Sequence, residues 1–145
     1  MIYCDSSFLV SLYLQTQSFS AAARKLVDSF DDPIAFSWLN ELEIWTVLHR
    51  NLSSGPLNKT LRAIDAARND RVLVPCVLEQ KAYLDRALAL SKRYAAETGC
   101  RTLDILHVAL ALELNAPCFV SFDRRQRRLA MAVRLITLPE NLDRP

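Results

Sequence analysis

Two rhythms of apolar and polar residues alternate along the chain: short unbroken apolar runs, and longer stretches in which apolar side chains recur every three or four positions. Met1 to Cys4 is the first run and predicts a strand ending at Asp5. The Ser6 and Ser7 hydroxyls can then cap a helix carrying Phe8, Leu9, Leu12 and Tyr13. Ser18 or Ser20 can open a second helix through Phe30, with Ala22, Ala23, Leu26, Val27 and Phe30 at helical spacing, ended by Asp31, Asp32 and Pro33. Ile34 to Phe36 predicts a second strand. Ser37 can cap a helix bearing Leu39, Leu42, Ile44, Trp45 and Leu48 that ends near Asn51.

Gly55 and Pro56 mark a break, after which a helix from about Leu57 to Ala67 leads into a third strand, Val72 to Val74, closed by Pro75. Leu78 to Thr98 is helical in pattern and Gly99 stops it. Thr102 can cap a further helix to about Leu114, and Asn115, Ala116 and Pro117 turn the chain into a fourth strand, Cys118 to Ser121. A short basic helix follows Asp123, and Val133 to Thr137 predicts a fifth strand. Strands alternating with helices call for long right-handed crossovers. The expected fold class is therefore α/β, a five-stranded parallel sheet with helices on both faces, as one domain over residues 1–145.

Composition narrows this picture without changing it. At 145 residues, 51% hydrophobic and 23% charged, the chain has the make-up of one globular domain and not of a disordered one. No apolar run reaches the roughly 18 residues of a membrane span and no basic-then-apolar leader precedes the first strand, so a cytoplasmic location is expected. Cys4, Cys76, Cys100 and Cys118 show no CxxC pairing, which predicts buried free thiols. The net charge of +2 hides an asymmetry: residues 1–48 sum to −4 and residues 121–134 to +4. An acidic centre beside a basic rim suits a polyanion handled with bound cations.

The candidate chemistry lies in carboxylates. In open α/β sheets ligands bind beyond the carboxyl ends of strands, which is where Asp5 and Asp123 fall, although an aspartate there can equally be a plain helix cap. Asp104 sits in the first turn of its helix beside Leu103, Leu106, Ala109 and Leu110, near the buried stripe. Glu43, between Leu42 and Ile44, lies on a largely apolar helix; Glu41 is the alternative acid there. Carboxylates gathered in one place repel each other unless cations compensate, and the hard ions Mg²⁺ and Mn²⁺ take oxygen ligands. His49 and His107 read as satisfied helix residues. The arginines at 124, 125, 127 and 128 are either a solvated face or contacts for phosphates or an acidic partner.

The segments Ile2-Tyr-Cys-Asp5-Ser-Ser, Ser37-Trp-Leu-Asn-Glu-Leu-Glu43, Arg101-Thr-Leu-Asp104-Ile-Leu-His-Val-Ala-Leu-Ala and Phe119-Val-Ser-Phe-Asp123 together resemble PIN-domain ribonucleases, in particular the VapC-type toxins of bacterial toxin–antitoxin pairs. The resemblance runs over nearly the whole chain, with the motifs in order. It implies a PIN-like domain in which Asp5, Glu43, Asp104 and Asp123 hold Mg²⁺ or Mn²⁺ to hydrolyse RNA. Ser6 and Ser121 would support a carboxylate or water, and Arg124, Arg125, Arg127 and Arg128 would face RNA or an antitoxin tail. It further implies a homodimer inhibited by a VapB-like antitoxin. Ser121 stands where the family usually has Thr and keeps the hydroxyl. A dehalogenase-like phosphatase would need an acid where Ser7 stands, and two glycines, Gly55 and Gly99, are too few for a phosphate-cradling loop. A PIN-like module that binds RNA or protein without cutting is the alternative.

Overall fold

The apolar runs are buried on both sides, the condition that favours parallel pairing over an alternating, one-sided sheet. In the computed structural model, which describes residues 1–14 and 18–141, the elements follow as β1 (Ile2–Cys4), α1 (Ser6–Tyr13), α2 (Ser20–Val27), β2 (Ile34–Phe36), α3 (Trp38–Asn51), α4 (Ser54–Asn69), β3 (Leu73–Pro75), α5 (Gln80–Thr98), α6 (Thr102–Glu113), β4 (Phe119–Val120), α7 (Arg124–Ala132) and β5 (Thr137–Leu138). The five strands form one sheet in the order β3-β2-β1-β4-β5, with every neighbouring pair parallel. The expected α/β class, the parallel sheet and the strand number are all found.

Side-chain alternation along the strands splits the core in two. Tyr3, Ala35 and Phe119 point to one face and pack with Leu90, Val108, Leu110 and Leu129 from α5, α6 and α7. Ile2, Cys4, Ile34, Phe36, Leu73 and Val120 point to the other and pack with Phe8, Leu9, Ala23, Ile44, Leu48 and Ile64 from α1 to α4. Helices therefore cover both faces. The four cysteines are free thiols, with Cys4, Cys100 and Cys118 buried.

Several element boundaries differ from the sequence pattern. Gly55 and Pro56 lie inside the first turn of α4, where proline's missing N–H has no intrahelical partner to lose. Pro75 belongs to β3, an edge strand on which an absent donor is tolerated. The second helix stops at Val27, short of Phe30. Asp5, and neither Ser6 nor Ser7, caps α1, and Arg101, not Thr102, is the cap residue of α6. The last strand is Thr137–Leu138: Val133 closes α7 and Arg134 turns at φ +65, so pairing begins only after it. Gly99 does end α5 in a left-handed cap, at φ +68.

Candidate active site

Strand order reverses between β1 and β4. The chain builds β2 and β3 on one side of β1 and returns to place β4 and β5 on the other, so the crevice beyond the ends of β1 and β4 is the switch point of the sheet. Asp5 leaves β1 there, and Ser121 and Asp123 leave β4. The α1, α6 and α7 amino ends meet at the same place, since Asp5 caps α1, Asp123 caps α7 and Asp104 is the third residue of α6. Helix amino ends carry partial positive charge, which lowers the cost of gathering carboxylates.

A cleft of about 280 Å³ opens at this point, and Glu43, Asp104 and Asp123 line it with Ser6, His107 and Gln126. Asp5 lies underneath, fully buried. Its carboxylate accepts from the Phe8 amide at 2.8 Å and from the Ser121 hydroxyl at 2.8 Å, and the Ser7 hydroxyl stands 2.7 and 2.9 Å from its two oxygens. Burial pushes the Asp5 carboxyl above the ordinary value of 3.8, against the opposing pull of His107 and of these donors. Ser121 relays the arrangement outward by accepting from the Asp123 amide at 2.9 Å.

Each carboxylate in the cleft already has a protein donor. Asp123 Oδ1 accepts from the amides of Arg125 at 2.7 Å and Gln126 at 3.1 Å, and its Oδ2 meets the Arg125 guanidinium at 3.3 Å. Asp104 Oδ2 accepts from the Arg101 amide at 2.8 Å and Oδ1 from Gln126 Nε2 at 3.2 Å. Glu43 Oε2 is 2.6 Å from His107 Nε2. Glu41, the alternative acid on α3, instead pairs with Arg68 at 3.2 Å.

The oxygen donor set suits a hard divalent ion, which accepts one or two carboxylates and keeps several waters. Among the described residues, no three His, Cys, Asp or Glu side chains are gathered closely enough to hold an ion as they stand.

His107 is the satisfied helix residue expected from the sequence, but its place in the site was not expected. It is 1% exposed and joins Glu43 to a buried line of polar groups: Nδ1 is 2.9 Å from the Tyr3 hydroxyl, which is 3.2 Å from Ser37 Oγ, and Ser37 donates to Asn40 Oδ1 at 2.6 Å. Asn40 in turn donates to the Cys4 carbonyl at 3.0 Å, tying α3 to the end of β1. Because Ser37 gives its proton to Asn40, a ring carrying one proton leaves one contact of this line without a hydrogen: Tyr3–Ser37 if the proton is on Nε2, Glu43–His107 if it is on Nδ1. The spacing of Asp104 and His107, three residues apart and so on neighbouring positions of one helical face, was the available signal. Ser6, named beforehand, sits 3.3 Å from His107 Nε2.

The arginines divide. Arg124 and Arg128 are exposed, and Arg125 is half-buried against Asp123. Arg127 does not face solvent, contrary to the expectation of a phosphate contact: it is 7% exposed, and its guanidinium donates to the carbonyls of Ser121 at 3.3 Å and Pro139 at 2.6 Å. It fastens the segment after β5 beneath the site.

The acids also set a pH response. Burial raises the Glu43 and Asp123 carboxyls, but His107 at Glu43 and Arg125 at Asp123 outweigh it, so both lie below their ordinary values of 4.5 and 3.8. Their contribution to stability is complete above those values and drains away as pH falls through the lower, folded-state ones. Asp5 acts in the opposite sense, since its raised value makes the buried charge unfavourable at neutral pH and protonation relieves it. The melting temperature should thus decline as pH drops below about 4.5, and Glu43→Gln should make that decline shallower in a thermal-melt series. An unchanged slope would contradict the Glu43–His107 pairing.

Among the described residues, no helix is long and apolar enough to cross a membrane. Comparison with curated proteins gives no match. Among solved structures, the chain is similar to Mycobacterium tuberculosis VapC20, a toxin that cleaves the sarcin–ricin loop, at 18% identity and TM-score 0.72 over 100% of both chains. It is also similar to FitAcB from Neisseria gonorrhoeae, at 12% identity and TM-score 0.66 over 94% of this chain and 96% of that one. VapBC2 from Rickettsia felis, bound to a fragment of promoter DNA, matches at 18% identity and TM-score 0.66 over 94% and 97%. At these identities the structures speak to fold. The PIN-domain family model matches residues 2–131, nearly the whole chain, and with the acids assembled at the β1–β4 crevice this protein belongs to the PIN-domain family.

Proposed function

We propose that this chain is a metal-dependent endoribonuclease and the toxin of a VapBC-type toxin–antitoxin pair. The observation that carries the reading is the convergence of Glu43 on α3, Asp104 on α6 and Asp123 at the cap of α7 on one cleft at the switch point, with buried Asp5 joined to Asp123 through Ser121. Of the four acids expected to hold Mg²⁺ or Mn²⁺, Glu43, Asp104 and Asp123 line the cleft and would hold the ion, whereas Asp5, fully buried and accepting from Ser7, Phe8 and Ser121, would fix the floor. When bound, such an ion activates water and neutralises charge on a phosphodiester under attack. Ser121 keeps the Asp123 amide, and with it the start of α7, in register with Asp5. Exposed Arg124 and Arg128 would meet RNA phosphates at the rim or the acidic tail of an antitoxin.

The fold shared with VapC20, and with the VapBC2 and FitAcB proteins, supports an antitoxin partner for this chain. Exposed Leu42, Leu84, Leu88 and Leu103 offer apolar surface to a second copy in a homodimer. The test is cleavage of a structured RNA by the purified chain. Cutting should require Mg²⁺ or Mn²⁺, stop with a chelator and resume when the ion is restored, and expression without an antitoxin should arrest growth. A second reading, a non-catalytic binding module, draws on the protein donors already at each cleft carboxylate. RNA binding without ion-dependent cutting would favour it and end the nuclease reading.

A further inference from the structure

Gln126 is an odd residue for its position. It sits within a run of arginines yet is 5% exposed, and among the described residues its Oε1 is the buried side-chain atom with no hydrogen-bond partner. A leucine or methionine would fill similar space without stranding an acceptor. Of the remaining contacts, an apolar residue would keep the backbone one and lose the side-chain one. Gln126 gives its backbone N–H to Asp123 Oδ1 at 3.1 Å and its side-chain Nε2 to Asp104 Oδ1 at 3.2 Å. The other donors to these two carboxylates, the Arg101 and Arg125 amides and the Arg125 guanidinium, each belong to the same helix start as the acid they serve. Among the described residues, Gln126 supplies the hydrogen bond that runs from the start of α7 to the start of α6.

We propose that Gln126 is a positioning residue that sets the separation of Asp104 and Asp123, and through it the affinity of the cleft for a divalent cation. The amide is suited to the task because it is neutral: it holds one carboxylate from beside another without adding charge of either sign, whereas a lysine or arginine here would compete with the ion. Groups that orient metal-binding carboxylates without binding the metal typically change affinity about 10- to 100-fold when removed.

This inference rests on the proposed metal-dependent reading, and its test uses Mn²⁺ alone, with no RNA. Mn²⁺ binding to the full chain is measured by calorimetry and by loss of the free-ion paramagnetic signal, beside thermal melts without ion. Gln126→Leu should bind Mn²⁺ about 10-fold or more weakly, with an ion-free melting temperature equal to or above wild type because the stranded acceptor is gone. Gln126→Glu should melt lower than wild type without ion, from repulsion with Asp104, and recover with Mn²⁺. Gln126→Leu binding Mn²⁺ within twofold of wild type overturns the proposal while leaving the nuclease reading intact. Wild type that binds no Mn²⁺ at millimolar concentration overturns both. A lower ion-free melting temperature for Gln126→Leu would make the residue a structural support and also overturn it.

Discussion

Asp104→Asn should reduce RNA cleavage on the order of a thousandfold while leaving the fold in place. Asp104 is the acid whose replacement changes charge with the least structural disturbance. It is half-buried at the start of α6, and asparagine keeps an oxygen for the Arg101 amide that Oδ2 now accepts from, while its NH2 takes the place of Oδ1 beside Gln126, whose amide can turn to accept from it. What is lost is one negative charge on a cation. If stabilisation of a metal-assisted transition state is worth several kcal/mol, the loss of about 4 kcal/mol corresponds to roughly 10³ in rate. Single-turnover cleavage at saturating Mg²⁺ measures it, with circular dichroism as the check on folding. A variant retaining more than a tenth of wild-type rate would remove Asp104 from the site. Asp5→Asn is a less clean probe, because Asp5 accepts from an amide and two hydroxyls in a fully buried place and its replacement changes packing together with charge.

The second large effect is on stability. His107→Leu should destabilise the protein by about 3 kcal/mol, since removing one partner of a buried pair costs about 3 to 5 kcal/mol and a stranded buried hydroxyl about 1 to 3, partly offset by leucine's apolar burial. For a chain of this size that is roughly a 6 to 12 °C drop in melting temperature. The cost arises because Tyr3 and Glu43 both lose a partner, and Tyr3 is fully enclosed. His107→Gln, which retains a donor and an acceptor, should lose less. Equal melting temperatures for wild type and His107→Leu would show that the line from Glu43 to Asn40 contributes nothing to the fold.

Much of the architecture could be read from residue pattern, because it depends on local rules. Unbroken apolar runs such as Ile34 to Phe36 have no way to be half-exposed, so they must be interior strands, and Gly99 after an amphipathic stretch ends a helix by backbone freedom alone. Asp5 and Asp123 were visible as strand-end residues for the same reason. Contacts made at long range were not visible. His107 lies on an apolar face where a ligand, a cap or a satisfied core histidine look alike, and its role is fixed by Tyr3, 104 positions away, and Glu43, 64 positions away. Arg127 was placed with the phosphate contacts because a run of arginines carries no sign of which one is covered. The backbone at Pro139 and Glu140, which accepts from its guanidinium, is what buries it. Glu41 and Glu43 likewise differ only in space: Arg68 on α4 pairs with the first, and the second lines the cleft.

Because β4 docks against β1, the Ser121 hydroxyl that grips Asp5 comes from 116 residues further along the polypeptide. During translation Asp5 is made well before Ser121, and pairings of such wide separation form late. A nascent segment that includes Asp5 but stops short of Ser121 therefore carries the acid without the hydroxyl that grips it. For a protein proposed to be harmful to its own host, the wiring of the sheet withholds a finished pocket until β4 has been made.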